Sequence, residues 1–358
     1  MTIRSRRIQS FIERQKGVHP VPYSLSSPIV IHGENIDATV EVPLATTERG
    51  LVAGINRGCK AITLSGGSTT CVYRKSMTRA PVFAATNVKD AVRAFRKLQE
   101  IQLEINEWPE GQSKHVRLIE SRPYILGQYI YLRLRFDVGD ALGGNAVTIL
   151  SDSIVRRVCK VTQTKCLGVS GNLCSDKKPA AINVLDGRGL GVIAEVILTS
   201  DILKHVLHVG VEPLLDLAVA KLQLGSSLAG APYHQNAHVA NSLAAMFIPF
   251  GQDVAEIVES SSATLVGSRV DEGVRFVLTL PCMELGVVGG GTDYKPCREN
   301  LDRLGCNPDE TRRGYAVSRL GEIVASVCLA GEISLLSALA EGSFGSVSAS
   351  IGRGQQLK

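Results

Sequence analysis

Apolar positions along the chain change period several times, and each period predicts an element. Over 48–62, Leu51, Val52, Ile55, Cys59 and Ile62 recur at helical spacing, leaving Asn56, Arg57 and Lys60 on or near one exposed side. A second helical stretch covers 88–106, with Val88, Ala91, Val92, Phe95, Leu98, Ile101 and Ile105 on one face and Asn87 as its cap. The period then drops to two. In 128–137, Ile130, Leu132, Leu134 and Phe136 alternate with Tyr131, Arg133 and Arg135, as in a half-buried strand. A strand at 115–120 precedes it, and a helix over 141–158 and a strand at 164–169 follow. This order is βαββαβ with one end trimmed. Residues 82–167 therefore read as a small ferredoxin-like insertion in a large α/β domain formed by 1–81 and 168–358, which makes the fold class α+β. Residues 1–16 read as a basic arm and 17–43 as extended chain. The second half predicts strand 191–199, helices 201–221 and 235–250, strand 273–281 and a long helix near 313–341.

Composition narrows the class. The chain has 358 residues, with 44% hydrophobic and only 5% aromatic content, so its core must be aliphatic. No run approaches the roughly 20 apolar residues of a membrane span. The first twenty residues carry Arg4, Arg6, Arg7, Arg14 and Lys16 without an apolar stretch. A soluble cytoplasmic protein with no membrane partner is expected. Nine cysteines, scattered without metal-type spacing, point to reduced thiols and to no metal centre. The net charge of +5 is spread out, and the sparse aromatics argue against nucleic acid. An anionic small ligand accounts for the charge better.

One block carries more chemistry than any other: 168–183, GVSGNLCSDKKPAAIN. It gathers Ser170, Asn172, Asp176, Lys177 and Lys178, Pro179 stops a helix from running through the lysines, and Ala180, Ala181 and Ile182 predict re-entry into a core. Taken alone, the block reads equally as a surface turn with a salt bridge or as a site holding positive charge for a carbonyl or carboxylate ligand. Residues 139–145, GDALGGN, form a Gly-rich strand-to-helix turn suited to phosphate, though not a GxGxxG fingerprint. The run Gly289, Gly290, Gly291 and Thr292 would let backbone approach a ligand closely, or would serve as a hinge.

With PLATTERG at 43–50, NRGCK at 56–60, SMTRAP at 76–81, NAHVAN at 236–241, GQD at 251–253 and ELGVVGGGT at 284–292, these blocks resemble the motif set of 3-hydroxy-3-methylglutaryl-coenzyme A (HMG-CoA) reductase, in order, from about Val42 to Ala340. The resemblance implies an NADPH-dependent oxidoreductase of the mevalonate pathway, working as a homodimer or higher homo-oligomer on an acyl-CoA, without the membrane anchor of animal and fungal relatives. It implies Glu48, Lys177 and Asp253 as the catalytic cluster, with the glutamate handling the proton on the reacting oxygen and the lysine stabilising the oxyanion. Arg79, Ser170, Asn172, Asp176, Lys178, Lys221 and Asn241 would bind substrate, with Asn56 and Arg57 toward coenzyme A. Lys114 would meet the 2′-phosphate, and Asp140, Gly143, Asn145, Val288, Gly289, Gly290, Gly291 and Thr292 the rest of the cofactor; Gly144 replaces a larger apolar residue of the family motif.

Two departures stand out. The family's histidine that protonates the departing thiolate aligns with Ser348, and this sequence has no histidine after His238. The ENVIG-type segment before the first active-site strand, near the family's subunit boundary, is also missing. Two hypotheses follow: a working reductase, on HMG-CoA or on another carbonyl substrate, or a non-catalytic paralogue that binds an acyl-CoA.

Overall fold

The structure is a computed structural model that describes residues 11–108, 116–271, 273–309 and 311–345. Its strands, in chain order, are β1 (Tyr23–Leu25), β2 (Ile29–Gly33), β3 (Asp37–Val40), β4 (Pro43–Ala45), β5 (Ser68–Arg79), β6 (Val82–Ala84), β7 (Arg117–Leu126), β8 (Tyr129–Asp137), β9 (Lys165–Gly168), β10 (Gly189–Thr199), β11 (Thr264–Val270) and β12 (Gly273–Met283).

Strand β5 organises the molecule. Its stretch Thr69–Ser76 pairs with β10, which continues through β12 to β11, each antiparallel to the next. Its first residues also accept β2 in parallel, with β3 beyond. The last three residues, Met77–Arg79, pair instead with Leu134–Phe136 of β8. One strand thus serves two sheets. In the second sheet β6 lies between β9 and β8, and β7 lies outside β8, all antiparallel. Helix Val88–Glu100 connects β6 to β7, and helix Gly144–Thr162 connects β8 to β9. First strand flanked by fourth and third, with two crossover helices, is the ferredoxin-like order.

Each sheet has its own core. Phe83, Ile130, Leu132, Leu134 and Phe136 pack with Leu98, Ile105 and Val158 in the smaller one. The larger core is built on helix Tyr315–Glu341, against which helix Leu51–Leu64 and β10 pack. Gly58 fixes how closely these helices approach, because a Cβ there would overlap the Ala330 backbone. The long helix buries carboxylates that serve loops. Glu322 accepts the Glu34 and Asn35 N–H groups at 3.2 and 3.0 Å, and Glu332 accepts those of Ala237 and His238 at 2.6 and 2.7 Å. Contrary to the sequence expectation, this helix is long and apolar enough to cross a membrane, with mean hydropathy 2.0 over its window. However, 83% of that window is buried in the fold, as in a core helix.

Several predicted elements change at their ends. The helix at 88–106 breaks at Ile101 into Val88–Glu100 and Gln102–Asn106; Asn87 caps it, accepting the Asp90 N–H at 3.0 Å, but Val88 and Val92 face solvent. The single helix at 201–221 does not form. Helix Ser200–His205 ends, His208 turns left-handed (φ 57°), and Val211–Leu217 restarts the chain before a π-helical stretch, Ala218–Gly225. Pro213 explains the break, since it lacks the N–H that a continuous helix would need there.

Candidate functional site

Segments from both sheets converge on a cavity of about 570 Å³. The 168–180 turn enters it with three non-glycine residues in left-handed backbone: Asn172 (φ 63°), Ser175 (φ 51°) and Lys177 (φ 55°). Such strain persists only where surrounding contacts impose it. The anchor is Asn183, fully buried, whose Nδ2 donates to the Ser175 carbonyl at 3.0 Å and to Glu259 Oε2 at 2.8 Å. The predicted apolar re-entry by Ala180, Ala181 and Ile182 is only partial; all three are half-buried, and a polar side chain holds the turn.

The opposite wall consists of two glycine loops in backbone contact. Gly251 (φ 66°) and Gly291 approach so closely that a Cβ on either would run into the other's carbonyl. Between them Gln252 is locked: its Nε2 donates to the Phe250 and Gly286 carbonyls, and its Oε1 accepts the Gly286 N–H, each at 2.9 Å. Gly289 and Gly290 have positive φ and open space beside them. From the smaller sheet, Gly143 (φ 83°) begins the 19-residue helix Gly144–Thr162, whose N-terminus borders the cavity. Its free N–H groups suit an anionic ligand. Arg79, at the end of β5, donates from Nη2 to the Gly144 carbonyl at 2.9 Å and lies 3.6 Å from Asp176, while its buried Nε has no partner among the described residues. These features fit a nucleotide cofactor: a roomy glycine cradle, a helix start for phosphate and a guanidinium with spare capacity.

The charged floor is denser than the sequence suggests. Lys177 Nζ lies 2.8 Å from Asp253 Oδ2 and 3.3 Å from Glu256 Oε1. The hydrogen bond that Lys177 donates to Asp253 leads the effects that raise its ammonium above the ordinary value. For Asp253, burial pushes upward, but the Lys177 ammonium and the Ala255 N–H outweigh it and hold the carboxyl low. Behind Lys177 sits Arg188, 1% exposed, at 2.8 Å from Asp176, 2.9 Å from Glu259 and 3.2 Å from Glu284. Burial raises both Glu259 and Glu284, more than the guanidinium lowers them. Asp176, Glu256 and Glu259 hold oxygens within 4.8 Å of one another, a geometry that could hold a cation, and Arg188 and Lys177 supply the positive charge there.

Of the predicted residues, Arg79, Asp176, Lys177, Asp253, Gly143, Asn145, Val288, Gly289, Gly290, Gly291 and Thr292 line this cavity. Ser170 and Asn172 lie on the exposed part of the turn, and Lys178 donates to the Asp176 carbonyl at 2.8 Å. Other predicted residues are placed elsewhere. Glu48 is exposed and accepts from Asn241 Nδ2 at 3.3 Å, so the second carboxylate on Lys177 within one chain is Glu256. Lys221 is exposed on the π-helical stretch, within electrostatic reach of Glu332. Asn56 and Arg57 are engaged internally: Asn56 accepts the Ser27 N–H at 2.7 Å, and Arg57 donates to Ser334 Oγ at 3.1 Å. Asp140 spends both oxygens on the start of the long helix, accepting the Gly314 and Val317 N–H groups at 3.0 Å each. Lys114 and Ser348 lie outside the described residues. Sequence reasoning passed over Arg188, Glu256, Glu259 and Glu284; the available signal was GRG at 187–189 and the i, i+3 spacing of the two glutamates after Asp253.

The sequence profile of the hydroxymethylglutaryl-coenzyme A reductase family matches residues 1–349. The chain belongs to that family. It is 41% identical over 345 residues to the 3-hydroxy-3-methylglutaryl-coenzyme A reductase of Aeropyrum pernix, covering 96% of this chain and 82% of the relative. It is 38% identical to the enzyme of the same name from Haloferax volcanii, covering 96% and 85%. Among solved structures, the class II 3-hydroxy-3-methylglutaryl-CoA reductase from Streptococcus pneumoniae bound to NADPH in open conformations aligns with TM-score 0.72 and 21% identity, over 92% of this chain and 78% of that one. At that identity the likeness concerns the fold, which is the α+β architecture expected for this reductase family.

Proposed function

We propose that this protein is an NADPH-dependent reductase that converts HMG-CoA toward mevalonate, with the chemistry at Lys177. The observation that carries the reading is the Lys177–Asp253 pair at 2.8 Å on the floor of a cavity bounded by the glycine loops and a helix N-terminus. The cofactor, when bound, supplies the hydride. Gly289, Gly290, Gly291 and Thr292, with the helix start at Gly143 and Asn145, would hold it. Arg79, with its unpartnered Nε, would grip a carboxylate. Asp253 aims the Lys177 ammonium, which stabilises negative charge as it develops on the reacting oxygen. Val288, 45% exposed at the rim, would meet the cofactor's apolar face.

The working unit in this reading is a homodimer or higher homo-oligomer. Glu48 is exposed and Asn241 half-buried, both outside the lining of the Lys177 cavity, and Leu224 and Leu228, near Lys221, are 64% and 92% exposed. A second copy would cover that surface and could bring Glu48 to a neighbouring cavity; sedimentation tests it, and a monomer that turns over at full rate refutes it. Nine free cysteines agree with a reducing compartment, and a cytoplasmic location belongs to the same reading.

The test is NADPH oxidation with HMG-CoA and, in parallel, with mevaldehyde. Turnover of both supports the family reaction despite Ser348. Turnover of mevaldehyde alone points to a substrate without a thiolate leaving group. Silence on both rejects the reading in favour of a protein that binds an acyl-CoA without reducing it.

A further inference from the structure

Strand β8 has two faces. Ile130, Leu132, Leu134 and Phe136 enter the smaller core, and the alternation puts Tyr131, Arg133 and Arg135 on the other side. That second face is not left to solvent, for Arg133 is only 4% exposed. It meets the segment that carries Lys177. Arg133 Nε donates to the Leu173 carbonyl at 3.3 Å, and Nη2 donates to the Gly187 carbonyl at 2.8 Å. One planar guanidinium thus closes the segment at both ends, with Asp176, Lys177 and Asn183 between them.

The neighbouring cations hold less of it. The short helix Ala181–Asp186 ends in carbonyls that lack helical partners. Arg74 donates to those of Val184 and Leu185 at 3.0 and 2.7 Å, and Arg135 donates to that of Asp186 at 3.3 Å. The Asp186 carboxylate accepts from Arg122 at 3.2 Å and from the Tyr124 hydroxyl at 3.3 Å. All of these contacts grip the far end of the segment. Of the four arginines, Arg133 is the one that also reaches back to Leu173, between the left-handed residues Asn172 and Ser175. The carboxylates of Glu120 and Asp186 pair with Arg122 and Arg135 instead, so the charge of Arg133 is buried on backbone carbonyls, a costly placement for a group that only fills space.

We propose that Arg133 is a positioning residue that acts through Lys177. This deepens the functional reading above and rests on it. Lys177 has φ 55°, a backbone state that its surroundings must impose. With Leu173 and Gly187 pinned to β8, the turn between them presents the ammonium at 2.8 Å from Asp253. Strand β8 also carries the cofactor side of the cavity. Its Leu134 pairs with Arg79, and the strand leads into the turn that starts helix Gly144–Thr162. Arg133 therefore sets where Lys177 stands relative to the wall against which the cofactor would lie. The task needs a planar fork, because the two carbonyls belong to opposite ends of the segment, and an ammonium is a point charge.

Hydrogen exchange on the full chain without ligand tests the placement. In R133M the amides of 173–180 should exchange about tenfold faster than in wild type, with those of helix Leu51–Leu64 unchanged. Steady-state NADPH oxidation with HMG-CoA tests the role. R133M should lower kcat by about 10²-fold while KM for NADPH stays within about twofold, and R133K should recover part of the loss. The double variant R133M/K177M should be no slower than K177M, since the guanidinium acts through the lysine. Thermal melts establish that each variant folds; if R133M does not, R133K and R133K/K177M carry the same comparison. Unchanged exchange over 173–180 overturns the proposal. So does a double variant slower than K177M by the full factor of the arginine variant, because that is a purely structural role. A wild type silent on HMG-CoA and mevaldehyde overturns the substrate reading instead, and the exchange rates still decide whether Arg133 holds the turn.

Discussion

Replacing Arg188 with methionine probes the buried charge cluster directly. The guanidinium is 1% exposed and donates to Thr78 and to Glu259, while Glu284 lies 3.2 Å away. Methionine fills similar volume without charge, leaving Glu259 and Glu284 with no cation of their own. At least one further carboxyl must then bind a proton for the protein to fold. With an unfolded-state value near 4.3, holding one carboxyl protonated at pH 7 costs about 1.36 × 2.7, or roughly 3.7 kcal/mol. That agrees with the roughly 3–5 kcal/mol seen when one member of a buried ion pair is removed. The sign with pH follows. A carboxyl whose folded value is raised contributes its stability fully below the unfolded value, and that contribution is lost as pH rises toward the folded value. The deficit of Arg188→Met relative to wild type should therefore be about 1 kcal/mol at pH 5 and grow by about 1.4 kcal/mol per pH unit above that. Urea unfolding of both proteins across pH 5–8 measures it. A deficit that is constant with pH, or below about 1 kcal/mol at pH 7, refutes the account of these carboxyls as paired chiefly by Arg188.

Three further outcomes follow from local geometry. Gly58→Ala places a Cβ against the Ala330 backbone, so the two packed helices must separate, and the melting midpoint should fall by an amount equivalent to about 1–3 kcal/mol; an unchanged midpoint contradicts the close approach. Lys177→Met should reduce NADPH oxidation by about 10²–10³-fold with little change in melting temperature, since Lys177 is 39% exposed and its task is charge on the reacting oxygen. Asp140→Ala should cost about 0.5–2 kcal/mol in urea unfolding by uncapping the long helix, with NADPH affinity unchanged in a fluorescence titration; weakened NADPH binding in a normally stable variant would return Asp140 to the cofactor site.

Strand β8 was readable because Ile130, Leu132, Leu134 and Phe136 all point into one core, and every one of them is fully buried. Helix Leu51–Leu64 was readable because burying one face imposes a period on the sequence, and the long helix because it is apolar along its length and buried nearly all round. Strand β5 was not. Four of its buried positions, Ser68, Thr70, Ser76 and Thr78, carry hydroxyls, and its apolar Val72 and Met77 do not fall on one alternating register, so the central strand of the molecule carries no alternating signal. The blocks around Lys177 and Gly289–Gly291 stood out by their residue types but became a site, and Asp253 with them, only through the resemblance to the family's motifs. Their partners did not stand out. Nothing local marks Arg188 or Glu259, and Glu284 shows only as the first residue of ELGVVGGGT, until the fold removes their water; Asp140 and Arg57 read as ligand contacts until the fold gives them backbone to hold. The sequence by itself determined the elements whose apolar faces repeat and the turns whose residue types demand special backbone. Which charges meet was decided only by tertiary structure, because pairing and desolvation depend on distances between segments far apart in the chain, and no local period records them.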